Sequence, residues 1–225
     1  MNLIPFTVYC ADIAALSEQT IYNALYLRLP EDRRRKTDAL HFEKDRMLSV
    51  GAGTLLLRAL NDTGLQYMPP DYGEHGKPHF SAYPDFHFNL SHSGSKVLCV
   101  VAGQPVGCDV EKVTKANEAL AKRFFAAEEY TALLAQPEGA RDEFFFRLWT
   151  LKESFIKATG RGLSLPLDAF SVHIGQEEIS VAQDIDPAPY AFYEFELDGG
   201  YRCACCICDG NCKAPQLLSV DLSAI

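Results

Sequence analysis

The sequence predicts an α+β protein. Apolar residues spaced three and four apart mark helices, and alternating or continuously apolar blocks mark strands. The order helices then strands runs through the chain twice, which suggests a duplicated α+β unit, although no residue-level repeat accompanies it. At 225 residues and 48% hydrophobic, the chain can bury the core of one large domain or two small ones.

The elements follow in order. "IPFTVYCADI" (4–13) is rich in β-branched and aromatic residues and predicts a first strand. A helix opens at Pro30, with Glu31 and Asp32 early and cations from Arg33 to Lys36 later, as the macrodipole favours. A second, apolar helix spans 45–62, with Asp45 as its N-cap and Gly51 and Gly53 marking close packing. The Pro- and Gly-dense stretch 68–86 is a loop. Residues 86–93 alternate like a strand, and 96–103 form a continuously apolar one. "GQP" then turns the chain, so "VGCDVEKV" (106–113) is expected as the next strand of a tight hairpin. One or two helices fill 116–136, and a long amphipathic helix covers 140–159, ended by Gly160. Four strands follow, at 168–175, 177–184, 191–197 and 201–209.

Composition also excludes classes of function. A formal net charge of -9 argues against general nucleic-acid binding, which needs a basic surface. No run of eighteen apolar residues crosses a membrane. The first twenty residues lack a basic leader, and Asp12 and Glu18 interrupt their apolar run, so a cytoplasmic location is expected. Five of the eight cysteines lie in "YRCACCICDGNC"; their spacing suits a buried strand, with cysteine as a small hydrophobe, better than a zinc site.

The candidate chemistry centres on Asp109 and Glu111. Alternation along a strand points both to one face, and Cys108 and Val110 to the other. Two carboxylates so placed suit the oxygen ligands of one cation, or a solvated strand end. In the long helix, Trp149, Glu153 and Lys157 share a stripe, while Leu148, Leu151, Phe155 and Ile156 supply the buried side. "NLSHSG" (89–94) gathers short polar side chains around a histidine, as a phosphate seat or a turn would. "GKP" (76–78) sets a lysine on a rigid loop.

The ordered set "HGKPHF", "FNLSHSG", "VGCDVEKV", "RFFAAEEY" and "LWTLKESFIKATGRGLSLPLDAFSV" resembles the 4′-phosphopantetheinyl transferases of the Sfp type. The match spans most of residues 28–175. Its paired signatures, G-x-D-x-E and W-x-x-K-E-S/A-x-x-K, are specific in this order.

The resemblance implies two similar subdomains, 1–104 and 105–225, as an intramolecular pseudo-dimer with the site in the cleft between them. It implies transfer of the phosphopantetheine arm of coenzyme A to a serine of an apo carrier protein, with magnesium (manganese as the alternative) and release of adenosine 3′,5′-bisphosphate. Asp109, Glu111 and Glu153 match the metal carboxylates, and Glu153 is the best candidate base, either directly or through a metal-bound water. Lys157 matches the lysine at the phosphates. Ser91 and His92 match the seat of the 3′-phosphate, Gly76, Lys77 and Pro78 the loop lining the nucleotide, and Arg46 an arginine near that phosphate. Asp32 stands where the family often has a lysine, leaving Arg33 or Arg35 to reach instead. A monomer is expected, with apolar carrier docking at Phe124, Phe125 and Tyr130. The same carboxylates with water as nucleophile would describe a metal-dependent phosphohydrolase or nuclease. A module that only binds a nucleotide-containing ligand is a further alternative.

Overall fold

The computed structural model describes residues 4–176 and 178–225. Residues 1–3, within the stretch read for a leader, and Glu177, at the start of one expected strand, lie outside the described residues. The first half runs β1 (Thr7–Asp12), α1 (Gln19–Arg28), α2 (Glu31–Asp38), α3 (Glu43–Asp62), the short pair β2 (Asp71–Tyr72) and β3 (Pro78–His79), then β4 (His87–Ser93) and β5 (Lys96–Ala102). The second half runs β6 (Val106–Lys112), α4 (Glu118–Phe124), α5 (Ala127–Ala135), α6 (Glu138–Thr159), β7 (Ser171–Ile174), β8 (Ile179–Ala182), β9 (Ala191–Leu197), β10 (Tyr201–Ile207) and β11 (Gln216–Ser219).

Two sheets carry the architecture. One has the order β11-β1-β5-β4, with β11 parallel to β1 and the other pairs antiparallel. The second is antiparallel, in the order β6-β10-β9. Alternation along the strands builds three apolar layers. Val97, Cys99 and Val101 of β5 meet Leu48, Leu55 and Leu56 of α3. Leu98 and Val100 point the other way, toward Cys108, Val110, Cys203 and Cys205 of the second sheet. Ala204 and Cys206 face Leu148, Leu151 and Phe155 of α6. The layers are therefore α3, sheet, sheet, α6. A strand buried on both faces must read as continuously apolar, which explains "KVLCVVA" and the cysteine run of β10. All eight cysteines are free thiols.

Several expectations need correction. Helix α3 begins at Glu43 with Phe42 at the cap, so Asp45 sits inside the first turn, where its charge still favours the macrodipole. Strand β6 is not the second arm of a hairpin. It pairs with β10, and the Gly103–Pro105 turn carries the chain from one sheet to the other. Helix α1, which buries only Leu25, has too faint a stripe to be read from sequence. Strand β11 is a mostly exposed four-residue edge. It returns the tail to the first sheet, where Val220 donates its N–H to the Cys10 carbonyl and Val220 and Leu222 join the core under α3.

Candidate active site

The site lies where β6 meets α6. Gly107, Asp109 and Glu111 alternate onto the face that α6 covers. A Cβ at position 107 would lie 2.9 Å from the Lys157 carbonyl carbon, and closer still to Ser154 O and Ala158 N. Glycine is what lets the helix backbone rest on the strand here. That contact sets α6 at the depth where Glu153 and Lys157 stand over the strand carboxylates.

Asp109 is 4% exposed. Its Oδ1 accepts from Lys157 Nζ at 2.6 Å and from Ser91 Oγ at 2.9 Å. Its Oδ2 is buried with no hydrogen-bond partner. Glu111 Oε2 accepts from Ser93 Oγ at 2.7 Å. Burial raises the Glu111 carboxyl above its ordinary range, and the negative charges of Asp109 and Glu153 add to the rise against the opposing Ser93 hydrogen bond and Lys157 charge. Burial likewise raises Glu153, with Asp109 adding and Lys157 opposing. For Lys157 burial alone would lower the amino group, but the attraction of Asp109 overrides it and holds it above the usual lysine range. Three carboxylates and one ammonium thus feel one another across a single junction.

Among the described residues no group of three His, Cys, Asp or Glu side chains is placed to hold a metal, the cysteine run included. The donors nevertheless fit a hard divalent cation. They are all carboxylate oxygens, and Asp109 Oδ2 is a buried acceptor left without a donor.

The other expected residues are spread more widely. Ser91 and His92 are neighbours in β4 and so point to opposite faces. Ser91 is buried against β6; His92 is exposed on the α3 side. Partial desolvation nevertheless lowers the His92 ring, and the charges of Lys157 and Lys36 push the same way. Lys77 is half-buried, and its ammonium is engaged by the protein. Its Nζ donates to Val106 O at 2.9 Å and Ala158 O at 3.0 Å, capping the end of α6 and tying it to the start of β6. Burial pushes its amino group down to about 8. Gly76 has φ 80°, and Pro78 borders a cavity of about 250 Å³ beside Thr159 and Gly160. Arg33 packs against Gly53 with its Nε buried and unpartnered. Arg35 pairs with Glu31 in solvent. Arg46 donates to the carbonyls of Leu40 and His41, holding the turn before α3. Asp32 accepts from the Tyr67 hydroxyl at 2.6 Å, so the position where a lysine was expected serves packing.

The docking candidates also divide. Phe125 is core, its ring 5.4 Å from that of Phe145, and Tyr130 packs on the same cluster. Only Phe124 borders the site, in a cavity of about 530 Å³ shared with Glu153, Lys157, Ile156, Leu165 and Leu167.

Sequence reasoning missed the contact at Gly107, the roles of Asn89 and Ser93, and the ion pair beneath Glu153. There Lys152, fully buried, donates to both oxygens of Glu129 at 2.6 and 2.8 Å and to Phe170 O at 2.8 Å. Glu129 also accepts from the N–H groups of Val172 and Ala126. Every polar atom of this pair is satisfied, and it welds α5, α6 and the start of β7 together. A lysine inside an otherwise buried helix stripe was the available signal.

Residues 105–206 match the model of the 4′-phosphopantetheinyl transferase superfamily. Among individual proteins, the chain is 38% identical over 180 residues to the 4′-phosphopantetheinyl transferase Sfp of Bacillus subtilis (strain 168), covering 78% of this chain and 80% of that one. A second 4′-phosphopantetheinyl transferase of Bacillus subtilis is 36% identical over 189 residues, covering 80% of this chain and 84% of its own. The 4′-phosphopantetheinyl transferase psf-1 of Bacillus pumilus is 42% identical over 132 residues, covering 58% of this chain and 57% of its own.

Proposed function

The chain belongs to the 4′-phosphopantetheinyl transferase superfamily, and from that premise we propose that it transfers the 4′-phosphopantetheine arm of coenzyme A to a serine of an apo carrier protein, peptidyl or acyl, with release of adenosine 3′,5′-bisphosphate. The observation that carries this reading is the junction of β6 and α6. There Lys157 grips Asp109, Glu111 and Glu153 stand alongside, and a buried Asp109 oxygen lacks a donor.

Asp109, Glu111 and Glu153 would hold a magnesium ion, with manganese as the alternative. Such an ion, when bound, neutralises charge at the diphosphate. Lys157 keeps a fixed positive charge within reach of the transferring phosphate, where negative charge gathers on the equatorial and leaving oxygens. Its raised pKa keeps it protonated at neutral pH. Glu153 accepts the proton of the attacking serine, and its raised pKa makes it a stronger base than an ordinary carboxylate. Arg35 and His92, both exposed, are free to meet the 3′-phosphate, and Ser91 supports that wall from the β6 side. Arg33, Arg46, Lys77 and its neighbours Gly76 and Pro78 shape the nucleotide side, with the Arg46 and Lys77 donors already engaged by backbone carbonyls.

On this reading the four layers are two α+β subdomains, 1–104 and 105–225, forming a pseudo-dimer with its cleft along the β4–β6 seam; residues 216–222 return to the first. The protein acts as a cytoplasmic monomer, and Phe124 lies on the carrier side.

The test is direct. The protein is incubated with coenzyme A, magnesium and an apo carrier, and the carrier is weighed. A gain of about 340 Da, the mass of the arm on serine, is expected. No gain with peptidyl and acyl carriers alike refutes the proposal.

A further inference from the structure

Strands β4 and β6 are edges of different sheets, yet β6 is not left unpaired where they meet. The N–H groups of Cys108, Val110 and Lys112 donate to Asn89 Oδ1 at 2.9 Å, Ser91 Oγ at 3.3 Å and Ser93 Oγ at 3.2 Å. Three side-chain oxygens at alternate positions of β4 stand where the carbonyls of a neighbouring strand would stand. The seam is a ladder with side chains for one rail.

The two serines have a second consequence. A hydroxyl carries one hydrogen, and each oxygen already accepts from β6, so the hydrogen turns elsewhere. In both cases it goes to a strand carboxylate: Ser91 donates to Asp109 Oδ1 and Ser93 to Glu111 Oε2. Asp109 has Lys157 as well. For Glu111, Ser93 is the one hydrogen-bonding partner of the carboxylate among the described residues.

We propose that Ser93 is a positioning residue for Glu111. Its hydroxyl, fixed by the Lys112 N–H, holds Oε2 and so fixes the carboxylate, with Oε1 left free for a ligand. The inference rests on the proposed function, because it gives Glu111 an ion to meet.

Ser93→Thr and Ser93→Val test it as a pair of nearly equal shape, both suited to a strand, of which only one keeps the hydroxyl. Binding of Mn²⁺ is followed by electron paramagnetic resonance in the presence of coenzyme A, alongside thermal unfolding and the magnesium dependence of carrier modification. Loss of an orienting partner weakens metal binding about 10- to 100-fold. We therefore expect Val to bind Mn²⁺ at least about 10-fold more weakly and Thr within about 3-fold of the unmodified protein. In Val the loss shows as a higher magnesium requirement for carrier modification. Equal Mn²⁺ affinity in Val and Thr overturns the role of Ser93. If the unmodified protein binds Mn²⁺ and modifies carriers while Val matches Thr, only this inference fails. An unmodified protein that binds no Mn²⁺ overturns both. If it binds Mn²⁺ but modifies no carrier, the transfer reading fails and the Val–Thr difference still decides the role of Ser93.

Discussion

Gly107→Ala is the substitution for which the structure allows the most explicit forecast. The added methyl would meet backbone atoms of Ser154, Lys157 and Ala158, with the Lys157 carbonyl carbon at 2.9 Å and the other two nearer. Backbone cannot rotate aside as a side chain can. Reaching ordinary contact distance requires α6 to lift from β6 by on the order of 1 Å. Overpacking of this kind costs about 1–3 kcal/mol, and for a chain of this size that lowers Tm by roughly 2–12 °C. The functional cost is larger than the thermal one. The lift parts Lys157 from Asp109, now 2.6 Å apart, and carries Glu153 with it. A misplacement of about 1 Å can cost on the order of 100-fold in rate. The assays are carrier modification by mass and a thermal melt. A Gly107→Ala protein with unchanged Tm and a rate within about 3-fold of the original would refute the claim that this contact sets the site.

Four further outcomes are expected. Lys152→Met strands the Glu129 carboxylate in the core and should cost about 3–5 kcal/mol; adding Glu129→Leu removes that charge but unpairs the Val172 and Ala126 N–H groups, so it should recover only part of the loss, measured by urea unfolding. Glu153→Gln should lower kcat by about 10²- to 10⁴-fold with Tm nearly unchanged, as loss of a general base does. Asp109→Asn should raise the magnesium requirement and lower the rate, since it weakens the grip on Lys157; unchanged kinetics would remove Asp109 from the site. For Lys77 the sign runs against the usual cation: between pH 8 and the ordinary value of 10.5 the unfolded chain holds a proton that the folded protein sheds. Stability relative to Lys77→Met should rise with pH across that window, by at most about 3 kcal/mol because the two carbonyl partners favour the charged form. Denaturation at pH 7.5 and 10.5 checks it.

Much of this molecule was legible because its strands and helices keep strict periods. The alternation of "VGCDVEKV" placed Asp109 and Glu111 on one face and Cys108 and Val110 on the other, and the core bears out the apolar side. The cysteine run was read as a buried strand, and Cys203, Cys205 and Cys206 are buried in β10. What escaped were features that depend on a neighbour. The hairpin expected at "GQP" fails because β6 finds its partner in β10, about 95 residues later, and local sequence holds no trace of that choice. Phe125 was read as a docking residue, although aromatic spacing on a helix cannot distinguish a core face from a binding face. Arg46 and Lys77 carry charge that sequence assigned to a ligand, while the fold spends their donors on carbonyls.

The placement of Lys157 bears on how such a junction can exist before any ligand arrives. Asp109 is nearly sealed from water, and an isolated charge there would be expelled or neutralised. Lys157 supplies the opposite charge at 2.6 Å from Asp109 Oδ1. Glu111 and Glu153 have no such direct partner and are raised by burial, which means their ionised forms are held at a cost. A divalent cation held by Asp109, Glu111 and Glu153, as proposed above, would relieve that cost. An ammonium carries three hydrogens; with one on Asp109 and one on Ser91, Lys157 keeps a third, which on the proposed function meets a phosphate. On the proposed function the same lysine both compensates Asp109 and serves the transfer. Lys157→Met should therefore lose more thermal stability than Glu153→Gln, about 3–5 kcal/mol for stranding a buried carboxylate, and added Mn²⁺ should restore part of that loss. Equal stability of the two variants without metal would show that Asp109 does not depend on Lys157, and the argument from charge compensation would fall.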